Sequence, residues 1–507
     1  MTIQEKIFDL DKLGKLLPLM RDQKDVVLCH GCFDLLHIGH IRHFRQAKKH
    51  GDILVVTITP DQYVDKGFGR PAFTEDIRAE AIASLKEVDY VAVNKWTTAE
   101  KTIHLLKPDY YAKGSEFKED KSDYTGKIDN EKAAIEEIGA KLIFTEDIVF
   151  SSTNLINRFL SDKPDEIQEF MGLFHSRHTL DEVHGFLDKM AALKVMVIGD
   201  TILDDYHYCD PLGKSNKDPV LALQYKSNDF FAGGVLAVAN HVANFAEKVR
   251  LVSIHGEQDS CKEFINAKLA ENITPHFEVQ PGSPTLIKRR FLDSYSFNKL
   301  FEVYIMKNGG LPNDLDAEFC EVVRKELPDY DMVIAADFGH GAISPNMIKT
   351  LCENAPFLSV NTQANAGNRG FHTISSYPRA DFISLAEHEI RLETRIENGP
   401  LRPMMDSLAE KFQCRNFVVT RGRKGCLVRG ENGSYIACPS LTMKIVDRVG
   451  AGDAFFSIAS MASFLGADDE MIGFLGNIVG AMAVEIIGNA KAIDKLSLKK
   501  YITSLMK

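Results

Sequence analysis

Short apolar runs alternate with segments of helical pattern along almost the whole chain. The stretch VVLCHGCFDLLHIGHIRHFRQAKKHGDILVVTIT, which follows Asp25, contains an apolar run, a glycine turn, a helical pattern, a Gly-Asp stop and a second apolar run. That order predicts a βαβ unit. Further apolar runs at 90–93, 110–112 and 141–145 are separated by helix-length segments. We therefore expect a parallel sheet with helices on both faces.

The same pattern divides the chain into three parts. We expect a first α/β domain at 1–160, a helical connector without an apolar strand at 161–193, and a second α/β domain at 194–507. The second domain opens with KVMVIGD and continues through VRLVSIHG, DMVIAADF, FLSVNT, ADFISLA and NFVVTRG to a glycine turn in VGAGDAFF. A segment of this size can form one large α/β domain.

Composition excludes several classes of protein. The chain has 507 residues, of which 45% are hydrophobic and 26% charged, so we expect folded domains rather than disorder. A net charge of −11 has the wrong sign for a protein that binds nucleic acid through its overall field. The uncharged stretches 454–467 and 471–484 are shorter than the roughly 20 residues of a membrane span, and they predict buried helices.

The N-terminal sequence and the cysteines indicate the cellular compartment of the protein. MTIQEKIFDLDKL carries acidic residues and no secretory signal pattern, so we expect a cytoplasmic protein without a membrane partner. Nine scattered cysteines indicate reduced thiols rather than a disulfide framework. Cys29 and Cys32 form the one close pair, and without a second pair nearby they indicate core packing rather than zinc or redox chemistry.

Two histidines three residues apart, His37 and His40, follow the first strand at the start of a helix. A helix N-terminus attracts phosphate, and imidazoles there can donate hydrogen bonds to a phosphoryl group in its transition state. An isolated HxxH is more often a satisfied polar pair or a chance metal pair. Here GCFDLLHIGH is followed by Lys48, Lys49 and Lys66, then by GRPAFTEDIR and FSSTNLINR, and this context favours a phosphate site.

On these motifs, residues 25–158 resemble the cytidylyltransferase-like nucleotidyltransferases. They resemble first the adenylyltransferase half of bacterial heptose phosphate kinase/adenylyltransferases, and second glycerol-phosphate cytidylyltransferase. The resemblance implies a Rossmann-like fold in which a sugar or polyol phosphate attacks the α-phosphorus of ATP or CTP, usually with Mg²⁺ and without a protein nucleophile. Class I aminoacyl-tRNA synthetases also carry HIGH, but this chain has no KMSKS-like string.

The resemblance also implies roles for single residues. His37 and His40 would be catalytic and contact the nucleotide phosphates. The other implied nucleotide- or phosphate-binding residues are Gly31 and Phe33 in the turn, Lys48, Lys66 and Arg78, and Ser151, Ser152 and Thr153 at a helix N-terminus.

A second candidate site lies in DRVGAGDAFF. The backbone N–H groups of Gly450, Ala451 and Gly452 can hold a transferring phosphoryl group while Asp453 takes the proton from an attacking hydroxyl. A Gly-x-Gly turn by itself more often only starts a buried helix. In its context the string resembles the second signature of the ribokinase-like carbohydrate kinases, a resemblance that covers 194–507.

The kinase resemblance extends over several further motifs. Asp453 would be the catalytic base, and Asp447 and Glu389 would act indirectly on Mg²⁺. The implied sugar-binding residues are Asp200 and Asp204 in VMVIGDTILDDY and Gly233 and Gly234 in FAGGVLAVANHVA; the implied ATP-binding residues are Thr420, Gly422 and Gly425 in VVTRGRKGCLV, and Asn477.

This chain also departs from the kinase pattern. Ala237 stands where the family has asparagine after its Gly-Gly motif, Ala386 replaces the asparagine of its Asn-x-x-Glu motif, and NTQANAGNRG replaces an Asp-Pro-Lys run. The order of the two halves is the reverse of that in heptose phosphate kinase/adenylyltransferases. We expect a bifunctional enzyme of nucleotide-activated sugar or polyol synthesis for lipopolysaccharide or capsule, forming a homodimer or higher homo-oligomer. The alternative is an active transferase with a non-catalytic ribokinase-fold module for binding or dimerisation.

Overall fold

The computed structural model describes residues 2–64, 71–114, 127–145, 164–442 and 444–506. The chain forms two compact units, one made of Met1–Lys163 with Lys499–Lys507 and the other of Pro164–Leu498. The helices that the sequence indicates as a connector fall in the second unit. The domain limits 1–160, 161–193 and 194–507 stay a prediction.

The first unit is a six-stranded sheet with helices on both sides. Its strands are all parallel and lie in the order β1-β4-β3-β2-β5-β6, which confirms the predicted parallel sheet. The strands are β1 (Ile7–Phe8), β2 (Val26–Gly31), β3 (Ile53–Ile58), β4 (Tyr90–Val93), β5 (Tyr110–Gly114) and β6 (Lys141–Thr145); the helices are α1 (Ile3–Lys6), α2 (Leu10–Met20), α3 (Ile38–Lys48), α4 (Glu75–Ala83), α5 (Glu100–Leu106) and α6 (Lys127–Glu137).

Alternate residues of β2 pack into two separate cores. Val26 and Leu28 lie in the cluster that α2, α5 and α6 cover, whereas Val27 and Cys29 lie in the cluster that α3 and α4 cover. Successive side chains of a strand point to opposite faces, so a strand buried on both faces is apolar throughout. This explains why VVLC contains no polar residue.

The second unit contains one large and one small sheet. The strands are β7 (Lys194–Gly199), β8 (Thr201–Lys214), β9 (Leu221–Gly234), β10 (Lys248–Gln258), β11 (Ile273–Pro284), β12 (Ile287–Asp293), β13 (Lys299–Ile305), β14 (Met332–Asp337), β15 (Leu358–Thr362), β16 (Phe382–Ala386), β17 (Asn416–Thr420), β18 (Cys426–Arg429) and β19 (Tyr435–Cys438). The large sheet has the order β11-β10-β7-β14-β15-β16-β17-β18-β19, with its last two pairings antiparallel. The small sheet has the order β13-β12-β8-β9.

Helices alternate with most of these strands along the second unit. They are α7 (Asp165–Arg177), α8 (Leu180–Met190), α9 (Val235–Ala243), α10 (Lys262–Lys268), α11 (Asn313–Glu326), α12 (Pro345–Asn354), α13 (Glu387–Thr394), α14 (Leu401–Phe412), α15 (Ala451–Phe464) and α16 (Asp469–Ala483), and a last helix, α17 (Lys495–Met506), runs from the second unit into the segment grouped with the first. Helices α15 and α16 are almost fully buried, as the uncharged stretches 454–467 and 471–484 predict. Within the described ranges, none of the helices has the length and apolar character needed to cross a membrane. None of the nine cysteines, all of which lie in the described ranges, forms a disulfide, and Cys29 and Cys32 are buried, which confirms their predicted core packing.

The sequence pattern did not indicate the small sheet. Its two long strands, β8 and β9, contain runs such as DDYHYCDPLGK and QYKSND, in which polar residues of low strand propensity are frequent. Most of β9 up to Asp229 is exposed, so these strands have no continuous apolar run. Their stability comes from pairing with each other and from the one buried face.

Candidate active sites

The first candidate site lies where β2 ends and α3 begins. β2 pairs with β3 on one side and with β5 on the other. The connections that follow these neighbouring strands therefore run in opposite directions away from the carboxyl end of β2. Ligands of open parallel sheets bind at such a point. His37 is the N-cap of α3, and its Nδ1 accepts a hydrogen bond from the Gly39 N–H at 3.1 Å.

The two predicted histidines come together at this helix N-terminus. The rings of His37 and His40 stack with their centroids 3.9 Å apart. Because Nδ1 of His37 is an acceptor, its neutral ring carries the proton on Nε2, and this Nε2 is buried without a hydrogen-bond partner among the described residues. Burial lowers the pKa of His37, which keeps the ring neutral. The arrangement leaves one imidazole N–H for a ligand oxygen such as that of a phosphate.

Phe33 also contacts the ring of His40. Its ring lies edge-on to that of His40, with the centroids 5.2 Å apart, and Phe33 itself has a left-handed φ of 47°. A Cβ atom at Gly31 would lie 3.0 Å from Cζ of Phe33, so glycine makes room for this ring. The approach of phosphate to the turn at Gly31 and Phe33 stays a prediction.

Arg78 holds the loops around the site. Its guanidinium is buried and donates to the carbonyl oxygens of Cys32, of Thr59 at 2.9 Å and of Phe73 at 3.0 Å, and it forms an ion pair of 2.6 Å with Asp61. Four protein acceptors occupy most of its five N–H groups. Arg78 therefore supports the site by positioning the backbone next to Phe33, and its contact with a triphosphate stays a prediction.

Lys48 is not brought to the histidines. It ends α3, whereas His37 caps the beginning of that helix, and its ammonium pairs with Asp89 and the Asp52 carbonyl. This position does not support the predicted phosphate role. The predicted residues Lys66, Ser151, Ser152 and Thr153 lie outside the described residues.

Two residues that the sequence pattern did not indicate also organise this unit. Asp34 is buried and accepts the N–H groups of Ala72 at 2.7 Å and Phe73 at 3.2 Å, which fixes the segment before α4. His43 Nδ1 lies 2.7 Å from Thr145 Oγ1, and burial together with Lys113 lowers the pKa of His43 to about 4. The spacing of His43 three residues after His40 was the available signal, because such positions share a helix face.

The second candidate site lies at the start of α15. Gly450 is the N-cap with φ 82°, and a Cβ atom there would lie 2.1 Å from Asn489 Oδ1. Ala451 is the first helical residue, and a Cβ at Gly452 would have no neighbour within 4 Å among the residues that the structure describes. The turn is thus closed on the Gly450 side and open at Gly452, which suits backbone N–H groups that face a ligand.

Asp453 lies in the first turn of this helix, one residue after the open glycine. Burial raises its pKa to about 7, Asp204 and Glu389 add to the rise, and Lys288 opposes it. A carboxylate with a pKa near neutrality can accept a proton from a hydroxyl group without being a permanently protonated acid. The geometry is that of a general base next to an anion-binding turn.

Asp204 and the Gly-Gly motif meet beside this turn. A Cβ at Gly233 would lie 2.1 Å from Asp204 Oδ2, and Gly234, with φ 56°, lies against the carbonyl of Asp200. The Asp200 carboxylate accepts the N–H groups of the 338–342 loop at distances of 2.9–3.1 Å. Asp200 is therefore used to anchor a loop, and its predicted contact with a sugar finds no support in these bonds. Burial and the neighbouring Asp337 raise the pKa of Asp200 to about 6.

The two predicted metal-associated carboxylates are occupied by protein groups. Asp447 accepts hydrogen bonds from Lys299 and Tyr206 at 2.7 Å each and from the Gly488 N–H at 3.0 Å. Burial favours a higher pKa for Asp447, but these bonds outweigh it and lower the pKa. Glu389 accepts the N–H of Ala386 at 2.6 Å and caps α13.

No cluster of three or more potential metal ligands occurs in the ranges that the structure covers. The described residues therefore do not fit a protein-built Mg²⁺ site.

The predicted nucleotide-side residues divide into two groups. Thr420 ends β17, and Gly422, with φ 57°, stands in open space, so both can face a ligand. A Cβ at Gly425 would lie 2.0 Å from the Cys438 carbonyl, and Asn477 Nδ2 donates to that same oxygen at 3.3 Å. Gly425 and Asn477 are thus used to close the β18–β19 hairpin against α16.

Three residues near Asp453 were not indicated by the sequence pattern: Lys288, Arg290 and Asn489. Arg290 pairs with Asp204 and, at 3.0 Å, with Glu302. Asn489 Nδ2 lies 3.4 Å from Asp204 Oδ2 and its Oδ1 blocks side chains at Gly450. The available signal was the string TLIKRRF, which places two cations two residues apart on one strand face.

Family models match both halves of the chain. The model described as "pfkB family carbohydrate kinase" matches residues 192–496, and the model described as "Cytidylyltransferase-like" matches residues 28–159. The chain is 40% identical over 157 residues to "Bifunctional protein HldE" of Campylobacter fetus subsp. fetus, which covers 31% of each chain. It is 24% identical over 334 residues to the protein of the same name from Koribacter versatilis, which covers 65% of this chain and 67% of that one.

The chain matches these curated relatives over only part of their length. The chain spans about a third of the length of the first curated relatives that it matches, at 31%. Among solved structures, phosphofructokinase-2 from Escherichia coli superposes with a TM-score of 0.50 at 16% identity, over 63% of this chain and 100% of that chain. At that identity the likeness shows a shared fold and no more.

Proposed function

The chain belongs to the pfkB family of carbohydrate kinases and also carries a cytidylyltransferase-like domain, and on this basis we propose that it is a bifunctional enzyme of nucleotide-activated sugar or polyol synthesis. One domain would transfer a nucleotidyl group to a sugar or polyol phosphate. The other would phosphorylate a sugar or sugar phosphate with ATP. The name of the HldE relatives, which are bifunctional, agrees with two activities in one chain.

The transferase proposal rests on the His37–His40 pair at the N-cap of α3. In this reaction an oxygen of the acceptor phosphate forms a bond to the α-phosphorus of ATP or CTP, the bond to the bridging oxygen breaks, and pyrophosphate leaves. The neutral imidazole N–H of His37 would donate to a phosphate oxygen as charge develops there. No protein nucleophile is needed, so positioning and hydrogen-bond donors are what the site must supply.

The kinase proposal rests on Asp453 beside the Gly450–Gly452 turn. The acceptor hydroxyl oxygen would form a bond to the γ-phosphorus of ATP, the bond to the bridging oxygen would break, ADP would leave, and the hydroxyl proton would pass to Asp453. Because the carboxylates of Asp447 and Glu389 are already bonded, we derive no step through Mg²⁺. A cation that enters with the nucleotide would take most of its oxygen ligands from the phosphates.

One experiment identifies both the acceptor phosphate and the nucleobase of the triphosphate that the transferase uses. The purified full-length chain would be assayed for pyrophosphate release with each of the four nucleoside triphosphates and a panel of sugar and polyol phosphates. We expect release with ATP or CTP and a heptose-like or polyol phosphate. Absence of release with every combination would contradict the transferase proposal.

A second candidate for the kinase-fold domain is a non-catalytic module that binds a sugar or nucleotide. Ala237 and Ala386, which replace polar residues of the kinase pattern, favour it, whereas Asp453 and the open Gly452 turn favour catalysis. ATP consumption by the full-length chain over a broad sugar panel separates the two. Assembly into a homodimer or higher oligomer and location in the cytoplasm stay predictions; light scattering of the purified chain would test the first.

A further inference from the structure

Lys288 lies on the inner face of the small sheet, next to the residues of the kinase site. In the pairing of β12 with β8 it stands directly opposite Asp204, and in the pairing of β12 with β13 it stands opposite Tyr304. Residues paired in this way share a face of the sheet. Lys288 therefore points to the same side as Asp204, whose charge influences Asp453.

The ammonium group of Lys288 is buried between aromatic rings. Only 5% of the residue is exposed, and Nζ lies 5.2 Å from the centre of the Tyr304 ring and 6.0 Å from that of Phe338. No hydrogen bond or ion pair joins Nζ to another residue of the described ranges. Burial lowers the pKa of Lys288, while Asp204 opposes this effect. A buried ammonium without a hydrogen-bonded anion is costly and calls for a partner from outside the fold.

The other cations of this face already have partners. Arg290 is bonded to Asp204 and Glu302, and Lys299 donates to Asp447 at 2.7 Å. Burial, with a smaller contribution from nearby Lys288, lowers the pKa of His340 to about 3, so His340 is neutral. Among the described residues of this face, Lys288 is thus a cation whose ammonium a ligand anion can still use.

A pocket lies next to the 338–342 loop that covers this position. Its walls include Asp200, His340, Thr201 and Lys307. His340 belongs to the same loop as Phe338, whose ring covers the Lys288 ammonium. The loop that Asp200 anchors therefore adjoins both the pocket, through His340, and the Lys288 ammonium, through Phe338.

We propose that Lys288 binds a phosphate oxygen in the kinase site. The inference rests on the kinase function proposed above and names a residue that the kinase motifs do not include. Phosphate is the anion of this reaction, and it has two possible sources: the phosphoryl group that passes from ATP to the acceptor, or a phosphate that the acceptor already carries. A donor aimed at a transferring phosphoryl group acts on kcat, whereas a donor to a spectator phosphate acts on acceptor binding.

The kinetic test compares full-length Lys288→Met, Lys288→Gln and Lys288→Arg with the control Lys226→Met. Lys226 is an exposed lysine of the same sheet that pairs with Asp210 at 2.9 Å. ATP-dependent phosphorylation would be measured on sugars that are each supplied with and without a phosphate group. Lys288→Gln keeps a polar side chain of similar length, so it replaces Lys288→Met if the latter does not fold.

Each source of phosphate gives a distinct result. If Lys288 contacts the transferring group, the neutral variants lose about a hundredfold in kcat on every acceptor and keep the acceptor KM. If it contacts the acceptor, they raise the KM of phosphorylated sugars about tenfold or more and lose the preference over the unphosphorylated sugars. In both cases Lys288→Arg retains much of the activity. A kcat and an acceptor KM equal to those of Lys226→Met would overturn the proposal.

A binding test separates this proposal from the kinase function itself. Calorimetry would give the Kd of ADP, of the non-hydrolysable analogue AMP-PNP and of sugar phosphates for the wild-type chain and Lys288→Gln. Weaker binding of AMP-PNP or of a sugar phosphate with unchanged ADP binding supports the phosphate contact, even if the wild type phosphorylates no sugar. Equal binding of all ligands by both proteins overturns it, whatever the result for turnover.

Discussion

The residues with the clearest chemistry are those whose surroundings change their affinity for protons. His37 is neutral because burial lowers its pKa, and its Nε2, which has no partner among the described residues, is then a hydrogen-bond donor. Asp453 is half-ionised at about pH 7 because burial and two neighbouring carboxylates raise its pKa. A donor suits developing phosphate charge and a base suits a hydroxyl proton, so each residue fits the reaction proposed for its unit.

We predict that His37→Ala and His40→Ala each lower the rate of nucleotidyl transfer by about a hundredfold or more, because each removes a group at the phosphate site. His104→Ala is the control, since His104 is a partly exposed residue that faces Glu137. The rate of pyrophosphate release and the melting temperature would be measured for all three variants. A near-normal kcat in either site variant, with an unchanged melting temperature, would show that the imidazole role is wrong.

We predict that phosphorylation by the second unit rises with pH through the pKa of Asp453, which is about 7. Below that pH the base is protonated, so kcat falls about tenfold per unit of pH. Asp453→Asn should abolish turnover and leave AMP-PNP binding nearly intact, because the backbone turn rather than the carboxylate holds the phosphates. A flat rate profile between pH 5 and 8, or turnover in the variant, would remove Asp453 as the base.

The same shift has a consequence for stability. The folded protein binds the Asp453 proton more tightly than the unfolded chain does, since the pKa is raised from 3.8 to about 7. Stability is therefore lost as the pH rises from the unfolded to the folded value, and the loss is complete above about pH 7. Asp453→Asn cannot ionise, so its melting temperature should exceed that of the wild type more at pH 8 than at pH 4.

For single residues, the sequence identifies the residue type and its motif but not the groups to which each side chain is hydrogen-bonded. His37, His40 and Asp453 stand where their motifs predict. Asp200 and Asn477 belong to equally specific strings, yet the fold consumes their hydrogen-bonding groups in a loop anchor and a hairpin contact. A motif cannot show this, because the partners are backbone groups far away in the chain.

Among the elements, the α15 turn shows best how local geometry separates structural from functional positions. Gly450 and Gly452 are both small in the sequence, but only Gly450 has a left-handed φ and a close neighbour.

The element that the sequence pattern did not reveal is the small sheet. Its strands lack a continuous apolar run, because much of β9 is exposed and the inner face carries Asp204, Lys288 and Arg290.

We predict opposite outcomes for two substitutions in this turn. Gly450→Ala should lower the free energy of unfolding by about 1–3 kcal/mol, because alanine is strained at φ 82° and its Cβ meets Asn489. Gly452→Ala should leave stability unchanged, because its Cβ has no protein neighbour within 4 Å. Gly452→Ala should nevertheless reduce phosphorylation, since the methyl group fills the space left for phosphate. Denaturant unfolding and a kinase assay on both variants provide the test, and equal stability of the two would contradict it.

For the whole molecule, the alternation of the central parallel strands with helices was predictable, whereas the small sheet and the exact limits of the units were not. Periodicity indicates where sheets begin, and the apolar runs at β2, β7 and β14 did so correctly. Periodicity does not show that Lys499–Lys507 groups with the first unit, since this depends on contacts between distant parts of the chain. The same limit applies to α7 and α8, which have a helical pattern but no signal for the unit on which they pack.

The two sites use separate sets of residues, so we predict that the activities can be separated. A fragment that ends near Asp165 should keep nucleotidyl transfer within about tenfold of the full chain, because β2, α3 and the Arg78 anchor all lie in it. It should melt at a lower temperature, because it lacks the Lys499–Lys507 segment of its unit. In the full chain, His40→Ala should lose transfer and keep phosphorylation, and Asp453→Asn should do the reverse. A fragment that is soluble but inactive, or loss of both activities in either variant, would show that the two reactions depend on one another.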